Sequence, residues 1–311
     1  MGSSRRGAAG WLVVAPVVST VAATAAAVPT LVLIALAAVL APLVAEAVHR
    51  SVAVPEVVVQ ILFGIILGPY VLAIAHPNDV VSALSDFGLT YLMFLAGTEL
   101  DLSRMKEGRM RLAAVGWGLS LVLALGLGAV LVASGLVHDR VVFALCLTTT
   151  ALGTLLPMLR DARVLESHFG RIVLSVGAVG EFGPVVAVAV LLTTKNAPIT
   201  IALLVFFAVV AVVATLLAAR LHPPRFVALL RRHLHTTSQL PVRISVLIVI
   251  LLVYLTLQLG LDVLLGAFAA GIVVRLLIVG EDSPVVIEKL EAIGFGFLIP
   301  VFFIVSGINF D

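Results

Sequence analysis

Apolar runs of about 17 to 25 residues, enough for a helix to cross a hydrocarbon core about 30 Å thick, recur along this chain from residue 28 onward. Lipid tails offer no hydrogen bonds to a backbone, so a segment among them must be a helix or a strand of a closed barrel. The runs are continuous and rich in Leu, Val and Ala, with no alternation of polarity, which selects helices. Composition agrees: 62% of residues are hydrophobic and 12% charged, whereas a soluble domain carries about 25% charge. The mean hydropathy is +1.24. The expected fold class is an all-α polytopic membrane protein.

Ten core spans are expected, near 28–48, 55–75, 83–100, 112–137, 141–159, 172–194, 198–219, 243–260, 262–280 and 292–308, with Pro, Gly and charge clusters at most of the joints. The basic residues test this count. Fifteen Lys and Arg fall in odd-numbered connections, from Arg50 to Lys289, and only Arg140 and Lys195 fall in even-numbered ones. The positive-inside rule puts the odd connections in the cytoplasm and the start of the first core span outside. Residues 1–27 carry Arg5 and Arg6 before an apolar run that ends in small residues. They fit a signal peptide or an extra first helix.

Several function classes recede on the same evidence. Basic residues are dispersed between spans and the net charge is only +2, which argues against nucleic acid. The one cysteine, Cys146, lies inside an apolar span and reads as a small buried hydrophobe. His233 and His235 belong to a basic connector between the seventh and eighth spans, without an acidic or cysteine partner to complete a metal site. That connector has the pattern of an amphipathic helix on the cytoplasmic face. No paired-His, Glu-x-x-His or Ser-Lys arrangement occurs within the spans, so neither an intramembrane enzyme nor a cofactor is expected.

The stretch "SVGAVGEFGPVV", residues 175–186, stands out because it places Glu181 amid apolar and glycine residues. As a helix from Arg171 to Lys195 the sixth span rises about 35 Å, with Glu181 roughly 15 Å from its basic end. That is mid-bilayer, where an acidic side chain costs on the order of 2.5–3.5 kcal/mol and needs a cavity, a partner or a pathway. One reading is a protonated glutamate hydrogen-bonded between helices. The other is an ion or proton site, since one carboxylate can hold H+ or a cation but not both. That exclusion is the chemical requirement for an antiporter.

Pro184 cannot donate to the carbonyl of Gly180, four residues back, so that oxygen is expected to be free. The same Gly-x-x-x-Pro spacing recurs at Gly153–Pro157 and Gly296–Pro300, in the fifth and tenth spans. Interrupted helices at matching positions in two halves point to a transporter's substrate site, and here they imply a five-plus-five repeat. Thr148, Thr149, Thr150 and Thr154 cluster at the first interruption, with hydroxyl oxygens suited to a hard monovalent cation; ordinary helix–helix hydrogen bonding is the other reading of each. Glu46, Glu99, Asp101 and Asp262 sit near span ends and read as interface or pairing residues.

Six segments, in order, resemble the bacterial monovalent cation:proton antiporters of the Kef-like and NapA-like branch, with the sodium/hydrogen exchanger fold. They are "ILFGIILGPYVL", "FGLTYLMFLAGTELDL", "LTTTALGTLLPMLRD", "SVGAVGEFGPVV", "LDVLLGAFAAGIVVR" and "FGFLIPVFFIVSGINFD". The resemblance covers residues 28–311 and implies an inverted-repeat antiporter with interrupted crossing helices. It implicates Thr148, Thr150 and Gly153 in an unwound helix, and matches Gly180 and Glu181 to the family's acidic pair. Family members usually have Asp at the second of these positions and Asp, Asn or Gln at the first; here the first is Gly. With one titrating carboxylate, one-for-one electroneutral exchange is the simpler expectation. The resemblance further implies a homodimer in the cell membrane, and two or three helices beyond the tenth span that this sequence does not contain.

The leading expectation is therefore exchange of Na+ or K+ for H+ by alternating access, with Glu181 as the shared carrier. A non-transporting fragment or a regulatory, channel-like membrane subunit is the alternative, and a sodium-coupled organic-anion symporter would need more polar broken helices than this chain has.

Overall fold

The computed structural model describes residues 27–48, 54–99, 107–150, 163–164, 167–191, 239–278 and 283–310, with isolated positions at 159 and between 202 and 213. Residues 1–26, Gly153, Pro157, most of the seventh span and the His233–His235 connector lie outside the described residues. Those described form helices and connections with no strand among them. Among the described residues, five helices are long and apolar enough to cross a membrane: Ala27–Val48, Asp79–Thr98, Arg111–Ala133, Leu240–Leu259 and Pro284–Ile308. The protein is an α-helical, multi-pass membrane protein.

The described residues group into two units, one within Met1–Leu92 and Glu291–Asp311, the other within Met93–Leu290. The first holds α1 (Ala27–Val48), α2 (Glu56–Leu67) and the start of α3 (Asp79–Glu99). It also holds a π-helical turn (Gly294–Leu298) and α10 (Ile299–Ile308). Its core joins Ile34 and Ala37 of α1 to Val81 of α3 and to Val301, Ile304, Val305 and Ile308 of α10.

Lipid is as apolar as leucine, so helix contacts in a membrane depend on close packing. The α2–α10 contact shows how close. A Cβ on Gly64 would collide with the carbonyl of Ile304 and lie 2.8 Å from Gly307 Cα, while one on Gly307 would collide with the carbonyl of Ile61. The expected second span, 55–75, is helical only to Leu67. Pro69 biases the residue before it toward extended backbone, and Gly68 (φ −68°, ψ 174°) ends the helix there. The following loop is tied to α1 by Thr30 Oγ1, which donates to the carbonyl of His76 (3.2 Å) and accepts its amide (3.4 Å).

The tenth span also differs from expectation. Gly296 and Pro300 were expected to interrupt it, yet α9 (Ser283–Ile293) continues through the π turn into α10 without leaving helical backbone. The amide of Ile299 bonds to the carbonyl of Gly294, five residues back. The wider turn relieves the clash a proline ring makes with the carbonyl four residues before it, here that of Gly296. Nothing lies within 4 Å of the position a Gly296 Cβ would take, so this side of the turn is open.

In the second unit, α4 (Glu107–Ala133) packs against α5 (Arg140–Thr148) and α6 (His168–Leu191). Asp139 caps α5, its carboxylate accepting the amides of Val141 (2.7 Å) and Val142 (3.2 Å). Cys146, expected to be buried, is exposed on this helix. The helices α7 (Leu240–Leu259) and α8 (Val263–Leu277) form a hairpin. Gly260 turns it at φ 66°, a left-handed conformation that favours glycine, and Asp262 caps α8 through the amide of Leu264 (2.8 Å). The end of α3 crosses α8 at Gly97 and Gly271. A Cβ on either would strike a backbone carbonyl of the other helix, that of Phe268 or Phe94.

Candidate functional site

The fifth span was expected to be interrupted near its threonine cluster; α5 stops at Thr148, and Thr149 is extended (φ −78°, ψ 147°). The last carbonyls of a helix have no partner within it, so an end in mid-membrane must find partners elsewhere. Two side chains provide them. Trp117, from α4, donates its indole N–H to the carbonyl of Thr148 at 3.3 Å. Thr148 itself turns its hydroxyl back along α5, donating to the carbonyl of Ala144 at 2.9 Å and reaching the end carbonyl of Leu145 at 3.3 Å.

Beyond the helix end, the amide of Thr150 donates to the carbonyl of Gly180 at 3.1 Å. This corrects the expectation that the oxygen released by Pro184 stands free. Pro184 is buried within α6, which runs on through it as a helix, and the acceptor it leaves unused is taken by the unwound segment. The Thr150 hydroxyl donates to the carbonyl of Gly177 at 2.9 Å, three residues earlier on the same face of α6.

Glycines make this approach possible. A Cβ on Gly180 would sit 2.6 Å from Thr150 Oγ1, and a Cβ on Gly183 would sit 2.7 Å from the Trp117 ring. Both distances are shorter than side chains tolerate, so Gly180 and Gly183 are seats for Thr150 and Trp117. Between α4, the end of α5 and α6 lies a cavity of about 450 Å³, bordered by Trp117, Ser120, Thr148, Thr149, Thr150, Val176 and Gly180. Glu181, the next residue of α6, is half-buried. Successive residues on a helix differ by about 100°, so it projects from the face adjoining the one that seats Thr150.

Of the residues singled out in the sequence, Thr148, Thr150 and Gly180 meet around one cavity, with Glu181 adjacent and Pro184 one turn further along. Gly153 and Pro157 lie outside the described residues. Gly296 and Pro300 belong to the other unit, in a helix that is not unwound. Trp117 was missed. Its signal was present: a tryptophan inside a span has an N–H that needs a partner, and an unwound helix end supplies one. Chemically, the arrangement offers a carboxylate on the turn of α6 whose Gly180 carbonyl anchors the chain leaving α5, and the C-terminal end of that short helix carries negative partial charge that favours cations.

Three known proteins are similar to this chain over most of its length. YjbQ of Bacillus subtilis (strain 168) is 29% identical over 279 residues, covering 84% of this chain and 44% of its own length. A Na(+)/H(+) antiporter of Enterococcus hirae is 27% identical over 274 residues, 84% of this chain and 68% of that protein. Cation/H(+) antiporter 18 of Arabidopsis thaliana is 26% identical over 282 residues, 84% of this chain and 34% of that protein. The chain thus spans between about a third and two thirds of the length of these relatives. The transmembrane family of sodium/hydrogen exchangers matches residues 12–311, and the chain belongs to it.

Proposed function

We propose that this chain exchanges Na+ or K+ for H+ across the cell membrane by alternating access, with Glu181 as the shared carrier of proton and cation. One observation carries the reading: Glu181 is half-buried on α6 directly after Gly180, whose carbonyl anchors the unwound end of α5. A carboxylate there neutralises either a proton or a cation, so loading one expels the other. The C-terminal end of α5 adds partial negative charge, and the Thr148–Thr150 segment adds oxygens, as in transporters whose half-helix ends and unwound carbonyls meet the coupling ion. Family membership and the names of the Enterococcus and Arabidopsis relatives support the same chemistry. The reading includes a homodimer and, with one carboxylate, one-for-one exchange.

Everted membrane vesicles loaded with a pH-sensitive dye test it. Wild type is expected to dequench the dye on addition of Na+ or K+, Glu181→Asp to respond weakly, and Glu181→Ala not at all. An alanine variant as active as wild type removes Glu181 as the carrier. Net current through proteoliposomes during exchange contradicts the one-for-one stoichiometry.

A further inference from the structure

We propose that Thr150 is a positioning residue for this cation site, standing in the space where a side chain of residue 180 would otherwise lie. The inference rests on the exchange function proposed above and adds a residue that acts through others. Thr150 holds two adjacent turns of α6 at once. Its amide fills the acceptor that Pro184 leaves unused on Gly180, and its hydroxyl bonds to Gly177. In an α-helix the carbonyl of residue 177 already accepts the amide of residue 181, so the hydroxyl takes its second lone pair and lies one link from Glu181. The non-helical Thr149–Thr150 backbone is therefore set in height and orientation against the carboxylate-bearing turn.

The space is matched closely. An ideal Cβ at position 180 would lie 2.6 Å from Thr150 Oγ1, 3.0 Å from its Cγ2 and 3.3 Å from its Cβ. The first two atoms are the ones that Thr150→Ala removes, and the last contact is tight but needs only a few tenths of an ångström of relief. Gly180 and Thr150 are thus coupled. A methyl group at 180 must push the threonine away in the native background and has room once the hydroxyl and γ-methyl are gone.

The test is a double-mutant cycle of wild type, Gly180→Ala, Thr150→Ala and the double variant, reconstituted in proteoliposomes, with Thr150→Ser and Glu181→Ala alongside. Loss of one positioned contact predicts a rise of about tenfold in half-saturating Na+ for Gly180→Ala and for Thr150→Ala, with maximal rates within about twofold of wild type. Thr150→Ser keeps the amide and hydroxyl and stays near wild type. In the Thr150→Ala background, Gly180→Ala costs nothing more. Weaker cation binding competes less well with protons, so at fixed low Na+ both single variants shift the activity profile toward higher pH. An equal penalty from Gly180→Ala in both backgrounds, or none in either, overturns the proposal. Melting of the same four purified proteins runs the cycle without transport, and additive shifts overturn it there too. A Glu181→Ala variant as active as wild type sinks the carrier reading instead, and leaves the melting cycle to decide the packing.

Discussion

Pro184→Ala should stabilise the protein and impair it. A proline inside a helix costs about 3 kcal/mol or more when its missing N–H and its ring clash are both uncompensated. In α6 the acceptor half of that cost is already recovered, because Gly180 takes the amide of Thr150 at 3.1 Å. Removing the ring and restoring an N–H at 184 should therefore return only part of the full amount, about 1–2 kcal/mol. The new amide competes for the oxygen of Gly180, and a displaced Thr150 N–H forfeits a bond worth about 1 kcal/mol. The balance is about 0–1 kcal/mol, so melting of the purified protein should rise by at most about 4 °C, on the scale of about 2–4 °C per kcal/mol. Exchange in proteoliposomes should fall about fivefold, since about 1 kcal/mol is a factor of about 5. A higher melting point with unchanged exchange would refute the link between the bond and the function, and a lower melting point would refute the account of α6.

Three further outcomes follow from packing and hydrogen bonding. Gly97→Ala and Gly271→Ala each place a methyl against a backbone carbonyl that no rotamer change can move, so melting should fall by the equivalent of about 1–3 kcal/mol. Gly116→Ala meets nothing within 4 Å and should leave melting unchanged or slightly raised. Trp117→Phe keeps a ring over Gly183 but loses the donor to Thr148 at 3.3 Å, which predicts a loss of about 1 kcal/mol in the same melting assay.

The helices among the described residues overlap the spans marked by hydropathy and charged joints, which act over whole segments. Helix ends were not legible in the same way. Gly68–Pro69 stops α2 at Leu67 within a run that stays apolar to Ala75, and α5 ends at Thr148 within an apolar pattern that continues, where only the threonine cluster and the Gly153–Pro157 spacing marked an interruption. Hydropathy measures transfer into lipid and is blind to backbone conformation. The three Gly-x-x-x-Pro spacings looked alike in the sequence, yet the two within described residues behave differently. At Pro184 a neighbouring segment takes the released carbonyl, and at Pro300 the helix widens into a π turn. The proline alone does not decide which; the presence of a donor such as Thr150 does. Glu181 stood out by its setting, whereas Trp117 was legible only as an N–H that needs a partner, because which partner it meets depends on where another helix stops.

The π turn at Gly294–Leu298 has a consequence for the phase of the helix that carries it. Such a turn adds a residue without completing an extra turn, so everything after it faces about 100° away from where an unbroken α-helix would direct it. Gly307 meets Gly64 only in that shifted phase. Deleting one residue between 294 and 298 would leave the hydropathy of the span intact and rotate the glycine out of its contact, presenting a bulkier neighbour to α2. In this segment residue count is structural information, and a one-residue gap against a relative marks a change of helical face where a substitution would mark only a change of side chain.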